Sequence, residues 1–323
     1  MPRIRYRKYN PQAEARWLIA QSLEVLEDFM AQGFNLTLRQ LYYQLVAQDL
    51  IANNQKSYDR LGDVISRARE AGMVDWNHIE DRTRTPQSHP HWRDASHFLR
   101  QAAPQFKLDL WDGQPVRVLV FVEKQALEEV IQQAASPLDC TYFANKGYLS
   151  SSSAWQVAHD IILKTNTHAK LDAEEGRGTA IDRWVILHLG DHDPSGLDMT
   201  RDIQERLDLY SSGYTEELED GGINEWHTPV INVERIALNM DQIEEFAPPP
   251  NPAKQTDSRY PDYVRETGCT DSWELDAIKP AVLVQLIQDS INEVLEDEGD
   301  PELFSKRKKL QGQIIKKLKA IKI

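Results

Sequence analysis

A chain of 323 residues, 41% hydrophobic and 27% charged, has the composition of a globular protein of about two domains, not of a disordered, collagenous or membrane-embedded one. Two cysteines, Cys140 and Cys269, are too few for a disulfide framework and lack metal-ligand spacing. The net charge of −14 is uneven: residues 1–105 hold 14 Lys/Arg against 12 Asp/Glu, residues 106–305 hold 15 against 39, and residues 306–323 hold eight and no acid, so the total excludes no partner.

The basic start, Pro2 to Lys8, is not followed by an apolar stretch, and no apolar run approaches 18 residues. A soluble, cytoplasmic chain without signal peptide or membrane partner is therefore expected. Over residues 11–32, Trp17, Leu18, Leu23, Val25, Leu26, Phe29 and Met30 recur near helical spacing, and Gly33 ends the run. Thr37 and Gln40 have the spacing of a capping box for a second helix reaching Leu50. Ser57 starts a third, stopped by Ala71 and Gly72. Residues 73–84 read as a short β-excursion with Val74, Trp76 and Ile79 on one side. That order is the order of a winged helix-turn-helix over 1–105, and equally of a plain small helical domain.

Residues 102–115 read as a linker. Beyond it, Val116 to Val122 is a nearly unbroken apolar run, the mark of a strand buried on both faces. Further strands at 140–143, 184–189 and 230–238 alternate with helices at 124–135, 154–163 and 197–210. The alternation predicts an α/β domain with a Rossmann-like, mainly parallel sheet over 116–298. A Pro-rich break falls at 247–252; helices are expected near 275–297 and, as a basic C-terminal element within 299–323, near 303–322.

Ligands of open parallel sheets bind beyond the carboxyl ends of the strands. One strand here ends in Glu123 and Lys124, another in Gly190, Asp191, His192, Asp193, Pro194, Ser195 and Gly196. Glu123, Asp191 and Asp193 are thus expected in one crevice, and such an all-oxygen set suits Mg²⁺, with Mn²⁺ as its substitute. A solvated loop, or Asp193 opening the next helix, explains the Asp-x-Asp as simply. His192 is unneeded by a hard ion.

Val122-Glu123-Lys124, Asn145-Lys146-Gly147-Tyr148 and the Gly190–Gly196 stretch together resemble the Toprim domain, in the variety found in topoisomerase VI A subunits and their meiotic double-strand-break relatives. Trp273-Glu274-Leu275-Asp276-Ala277-Ile278 resembles that family's Glu-Leu-x-Ala stretch. The resemblance implies Mg²⁺ on Glu123, Asp191 and Asp193, and a nucleophilic tyrosine in an Arg-x-x-x-Tyr element of a preceding winged helix. Arg39 and Tyr43 stand in that arrangement. On a helical wheel Leu38, Leu41, Tyr42, Leu45 and Val46 form the apolar stripe, which predicts Tyr42 in the core and Tyr43 exposed one turn beyond Arg39. A guanidinium can stabilise phosphate charge while a neighbouring phenol attacks; the bland alternative is that both tyrosines simply pack, and the second domain favours Tyr43 as nucleophile.

Lys56, Arg60, Arg67 and Arg69 on the third helix, with Arg82 and Arg84 beyond it, are then expected to meet DNA phosphates. A solvated helix face explains them equally well. The resemblance implies cleavage of double-stranded DNA through a 5′-phosphotyrosyl link in a homodimer. The chain has no Walker A motif, so strand passage would need a separate ATPase subunit. Two rivals fit the same residues: a Toprim nuclease in which water attacks, as in defence nucleases, and a non-catalytic DNA-binding or assembly module.

Overall fold

The β-branched and aromatic residues of Val116–Val122 favour an extended chain, and their burial along the whole strand makes it the centre of a sheet. The computed structural model describes residues 4–79, 91–174, 181–212, 215–217 and 223–321. In chain order these contain helices α1 (Ala13–Ala31), α2 (Leu38–Ala47), α3 (Gln55–Glu70) and α4 (Ala95–Ala102), then strand β1 (Val116–Val122), α5 (Glu128–Ala135) and β2 (Thr141–Ala144). There follow α6 (Ser151–Glu174), β3 (Arg183–Leu189), α7 (Pro194–Ser211), the short β4 (Thr215–Glu217) and β5 (Ile223–Glu225), and β6 (Val230–Ala237). The last part holds α8 (Met240–Phe246), β7 (Asn251–Pro252), α9 (Tyr260–Thr267), β8 (Asp271–Ser272), α10 (Pro280–Glu298) and α11 (Pro301–Ala320). None of these helices is long and apolar enough to cross a membrane.

The chain forms two compact units, each assembled from several segments. The first comprises residues 1–86, 191–195 and 238–283, and the second 87–190, 196–237 and 284–323. Residues 238–283, expected with the sheet, thus belong with the N-terminal helices.

The second unit is the α/β one. Its four-stranded sheet runs β2-β1-β3-β6, all parallel, with Val122 paired to Ala144 and to Leu189. Leu119, Phe121, Trp184, Ile186 and Ile231 of the strands share one core with Ala154, Ala158 and Ile161 of α6 and Ile203 and Leu207 of α7. Helix α5 lies against β1 and β2, burying Val130, Ile131 and Ala134. Helix α11 packs on α4, its buried Phe304 meets Trp111, and Arg307 donates from Nε to the Asp109 carbonyl at 2.7 Å, so the basic tail docks as a helix.

In the first unit α1, α2 and α3 pack together, joined by the antiparallel β7–β8 pair and α9. The capping box forms as expected: Gln40 N–H donates to Thr37 Oγ1 at 3.3 Å and Thr37 N–H to Gln40 Oε1 at 2.9 Å. The β-excursion does not form over 73–79. Asp75 caps a single 3₁₀ turn, Trp76–His78, and Ile79 makes one isolated parallel bridge to Leu36. Asp75 accepts from Asn77 N–H at 2.9 Å, a local bond that competes with strand pairing. The rest of the expected wing, with Arg82 and Arg84, lies outside the described residues.

Candidate functional site

The site is built on α2 and on the turn that follows β8, both in the first unit. His192 and Trp273 exchange backbone bonds at 2.9 and 3.0 Å, and Leu275 N–H donates to Asp191 Oδ1 at 2.7 Å. These bonds stitch the Asp191 segment to the 3₁₀ turn Leu275–Ala277. His192 is the pin: it is buried, its Nδ1 lies 2.9 Å from the Leu238 carbonyl, and its ring meets Tyr263 and Trp273 edge to face. Asp191, Glu274 and Asp276 each place a carboxylate oxygen within 4.8 Å of the other two.

Arg39 faces this acidic turn from α2. Its Nη2 donates to Glu274 Oε2 at 2.9 Å, and its Nε lies 3.4 Å from Asp276 Oδ2. Burial disfavours the Arg39 charge, but Asp276, Glu274 and the Tyr43 phenol outweigh that penalty and hold the guanidinium above its ordinary value. The Arg39 guanidinium carbon lies 5.7 Å from the Tyr43 ring centroid.

Tyr43 is buried, at 8% exposure, where the wheel predicted an exposed phenol. Helix α2 has no broad solvent face: α1, α3 and the Leu275–Ala277 turn surround it, and residues 40–46 are all buried. Tyr42 is core, as expected, and its hydroxyl donates to Asn53 Oδ1 at 3.0 Å. Both rings nevertheless border a cavity of about 430 Å³, together with Arg39, Asn53, Asn54, Gln55, Tyr58 and Asn251.

The three acids expected at the strand ends are placed as follows. Asp191 joins Glu274 and Asp276. Asp193 stands directly before α7 and accepts from Ser195 Oγ at 3.0 Å. Glu123 is buried in the second unit just past β1, where its carbonyl accepts from Gly147 N–H at 3.0 Å and its own N–H donates to Leu189 O at 3.2 Å. Gly147 takes φ +73°, a conformation that favours glycine. A Cβ at Gly190 would fall 2.7 Å from Glu123 Oε2 and 3.2 Å from Arg235 Nη1, so any side chain there would push that carboxylate aside. A register shift between β3 and β6 at His188/Leu189 accompanies this packing. Tyr148, in the Gly-Tyr segment, donates to Asp198 Oδ2 at 2.8 Å.

Among the expected DNA-facing residues, Lys56 and Arg67 are exposed on α3, and Arg60 is exposed but paired with Glu14 at 2.7 Å. Arg69 instead holds its own unit together. Its Nη2 donates to the Trp76 and Ile79 carbonyls at 2.6 and 3.0 Å, and its guanidinium lies 4.5 Å from the Trp76 ring centroid. Burial lowers its pKa. Glu274 and Asp276 carry the acidic turn, although the sequence alone assigns them no role. Their signal is the Glu-Leu-Asp spacing within 273–278, the stretch that also carries part of the family resemblance.

Three mutually close carboxylates, two of them paired with Arg39, define an acid-rich site on a helical unit, joined in the chain to a parallel α/β unit. No protein-family model, curated protein or solved structure matches the chain.

Proposed function

We propose that the chain is a divalent-cation-dependent DNA-cleaving protein of the topoisomerase VI A type, compact in form, with a winged-helix-like N-terminal region and a Toprim-like α/β unit. The observation that supports this reading is Arg39, which adjoins Tyr43 on one side and salt-bridges Glu274 and Asp276 on the other. A candidate nucleophile and a candidate cation site thus share one guanidinium.

The donor set fits a hard cation, since all its ligands are carboxylate oxygens. Asp191, Glu274 and Asp276 would hold Mg²⁺ or Mn²⁺, which supplies charge stabilisation at a phosphoryl oxygen when bound. Glu123 and Asp193 are the other ligands the resemblance implies. Arg39 orients a DNA phosphate and offsets the charge that develops on it. The Tyr43 oxygen forms a bond to phosphorus as the bond to the 3′ oxygen breaks; the tyrosine gives up its proton and the leaving oxygen gains one. The product is a 5′-phosphotyrosyl link and a free 3′ hydroxyl. A homodimer, and a separate ATPase subunit for strand passage, complete the reading.

The burial of Tyr43 favours the rival nuclease, in which water attacks and the tyrosine packs. Denaturing electrophoresis after incubation with supercoiled DNA and Mn²⁺ separates the two. The proposal expects a protein–DNA adduct that Tyr43→Phe eliminates. Free cut ends produced equally by wild type and Tyr43→Phe would establish the rival.

A further inference from the structure

The cavity beside Arg39 has a lining unlike that of a generic cleft. Three tyrosines, Tyr42, Tyr43 and Tyr58, and four amides, Asn53, Asn54, Gln55 and Asn251, surround it, and Arg39 alone among these carries a charge. Tyr42 meets Tyr43 at 5.2 Å between centroids and Tyr58 at 5.3 Å, with interplanar angles of 64° and 87°. Both pairs meet edge to face, so each contact covers at most one ring face and leaves the others to the cavity or its walls. Tyr58 has no hydrogen bond to its hydroxyl among the described residues, and it is only half-buried.

The amides are held in place yet keep groups to offer. Asn53 is fixed by the Tyr42 hydroxyl and by a short amide–amide bond to Asn251. Asn54 caps α3 by accepting from Ser57 N–H at 2.9 Å through Oδ1, and Gln55 donates to Asp59 at 2.7 Å through Nε2. Among the described residues, the Asn54 and Asn251 Nδ2 groups and the Gln55 Oε1 make no hydrogen bond. Fixed donors and an acceptor beside aromatic faces are the equipment that reads a planar heterocycle. Arg39, although it also salt-bridges Glu274 and Asp276, is the one group of the lining that can meet the phosphate of a nucleotide. About 430 Å³ lies within the range of small-ligand sites, about 300–1,000 Å³.

We propose that this cavity holds one unpaired nucleotide of a DNA strand, with its base against Tyr58 and the amides of Asn54 and Asn251 and its phosphate on Arg39. The proposal deepens the DNA-cleavage reading, on which it rests for the identity of the strand. It makes the preferred substrate one with an unstacked base: a mismatch, a gap or a single-stranded end, where extrusion costs least.

The test uses the full chain in EDTA, so that no cleavage intervenes, and a short single-stranded oligonucleotide carrying one 2-aminopurine. Binding should quench the probe, and Tyr58→Leu should weaken affinity about tenfold or more, while Tyr58→Phe, which keeps the ring, should not. Asn251→Ala should also weaken binding, and it carries the test if circular dichroism finds Tyr58→Leu unfolded. Wild-type affinity in folded Tyr58→Leu or in Asn251→Ala would overturn the proposal. So would equal quenching of the probe inside a fully paired duplex, or binding of free dAMP as tight as that of the strand. Failure here leaves the Tyr43→Phe adduct result untouched, and loss of the adduct assignment leaves these affinities untouched, so the two readings fall separately.

Discussion

Each unit carries a charged cluster, and the two are balanced differently. In the second unit Arg117, 3% exposed, donates to Asp109 Oδ1 at 2.6 Å, His168 Nε2 lies 3.2 Å from Asp109 Oδ2, and Arg307 pairs with Asp112 at 2.5 Å. Two carboxylates there face two guanidinium groups and an imidazole. In the first unit Glu274 and Asp276 pair with Arg39, which is half-exposed, and Asp191 places a carboxylate oxygen within 4.8 Å of theirs, so three acids crowd together there. A balanced, partly buried network centred on the buried Arg117 fastens α11 to the segment before β1, and its charges answer one another. Three crowded carboxylates, by contrast, could hold a metal ion.

The largest effect that would break this comparison lies in the balanced cluster. Arg117→Met leaves Asp109 facing fewer cations and should cost about 3–5 kcal/mol in denaturant unfolding. A loss below about 1 kcal/mol would mean the network is not an anchor. The same cluster sets an acid limb. Burial opposes the Asp109 charge, but His168, Arg117 and Lys164 outweigh it and hold its pKa below the ordinary 3.8. The stabilisation is therefore complete above that value and is lost as pH falls through it towards the folded pKa. Asp109→Asn should flatten the decline in unfolding free energy below about pH 4.

A middling effect is expected at the acid-rich cluster. Asp191→Asn or Glu274→Gln should weaken Mn²⁺ binding about tenfold in calorimetric titration, roughly 1.4 kcal/mol, with little change in unfolding. Unchanged affinity in both would remove the cation from this site and direct the search to Glu123 and Asp193. The smallest effect concerns α3. Replacing Lys56 or Arg67 by Ala should lower the salt dependence of DNA binding by about one slope unit per lost phosphate contact. An identical slope would place the DNA path elsewhere.

Much of the architecture is legible without coordinates because it depends on local pattern. The run Val116–Val122, the strands and helices after it, and the Thr37–Gln40 box are each specified by residues a few positions apart. The site is legible only in part. Asp191, Arg39 and Tyr43 stand out in the sequence, whereas the stretch holding Glu274 and Asp276 stands out without a role. What pairs them is the His192–Trp273 bridge, which joins segments about 80 residues apart, and no local period encodes that closure. The wheel misplaces Tyr43 for a related reason. It assigns one buried face to a helix, whereas α2 is enclosed by α1, α3 and the acidic turn, and the number of neighbours packed around a helix is a property of the tertiary fold alone.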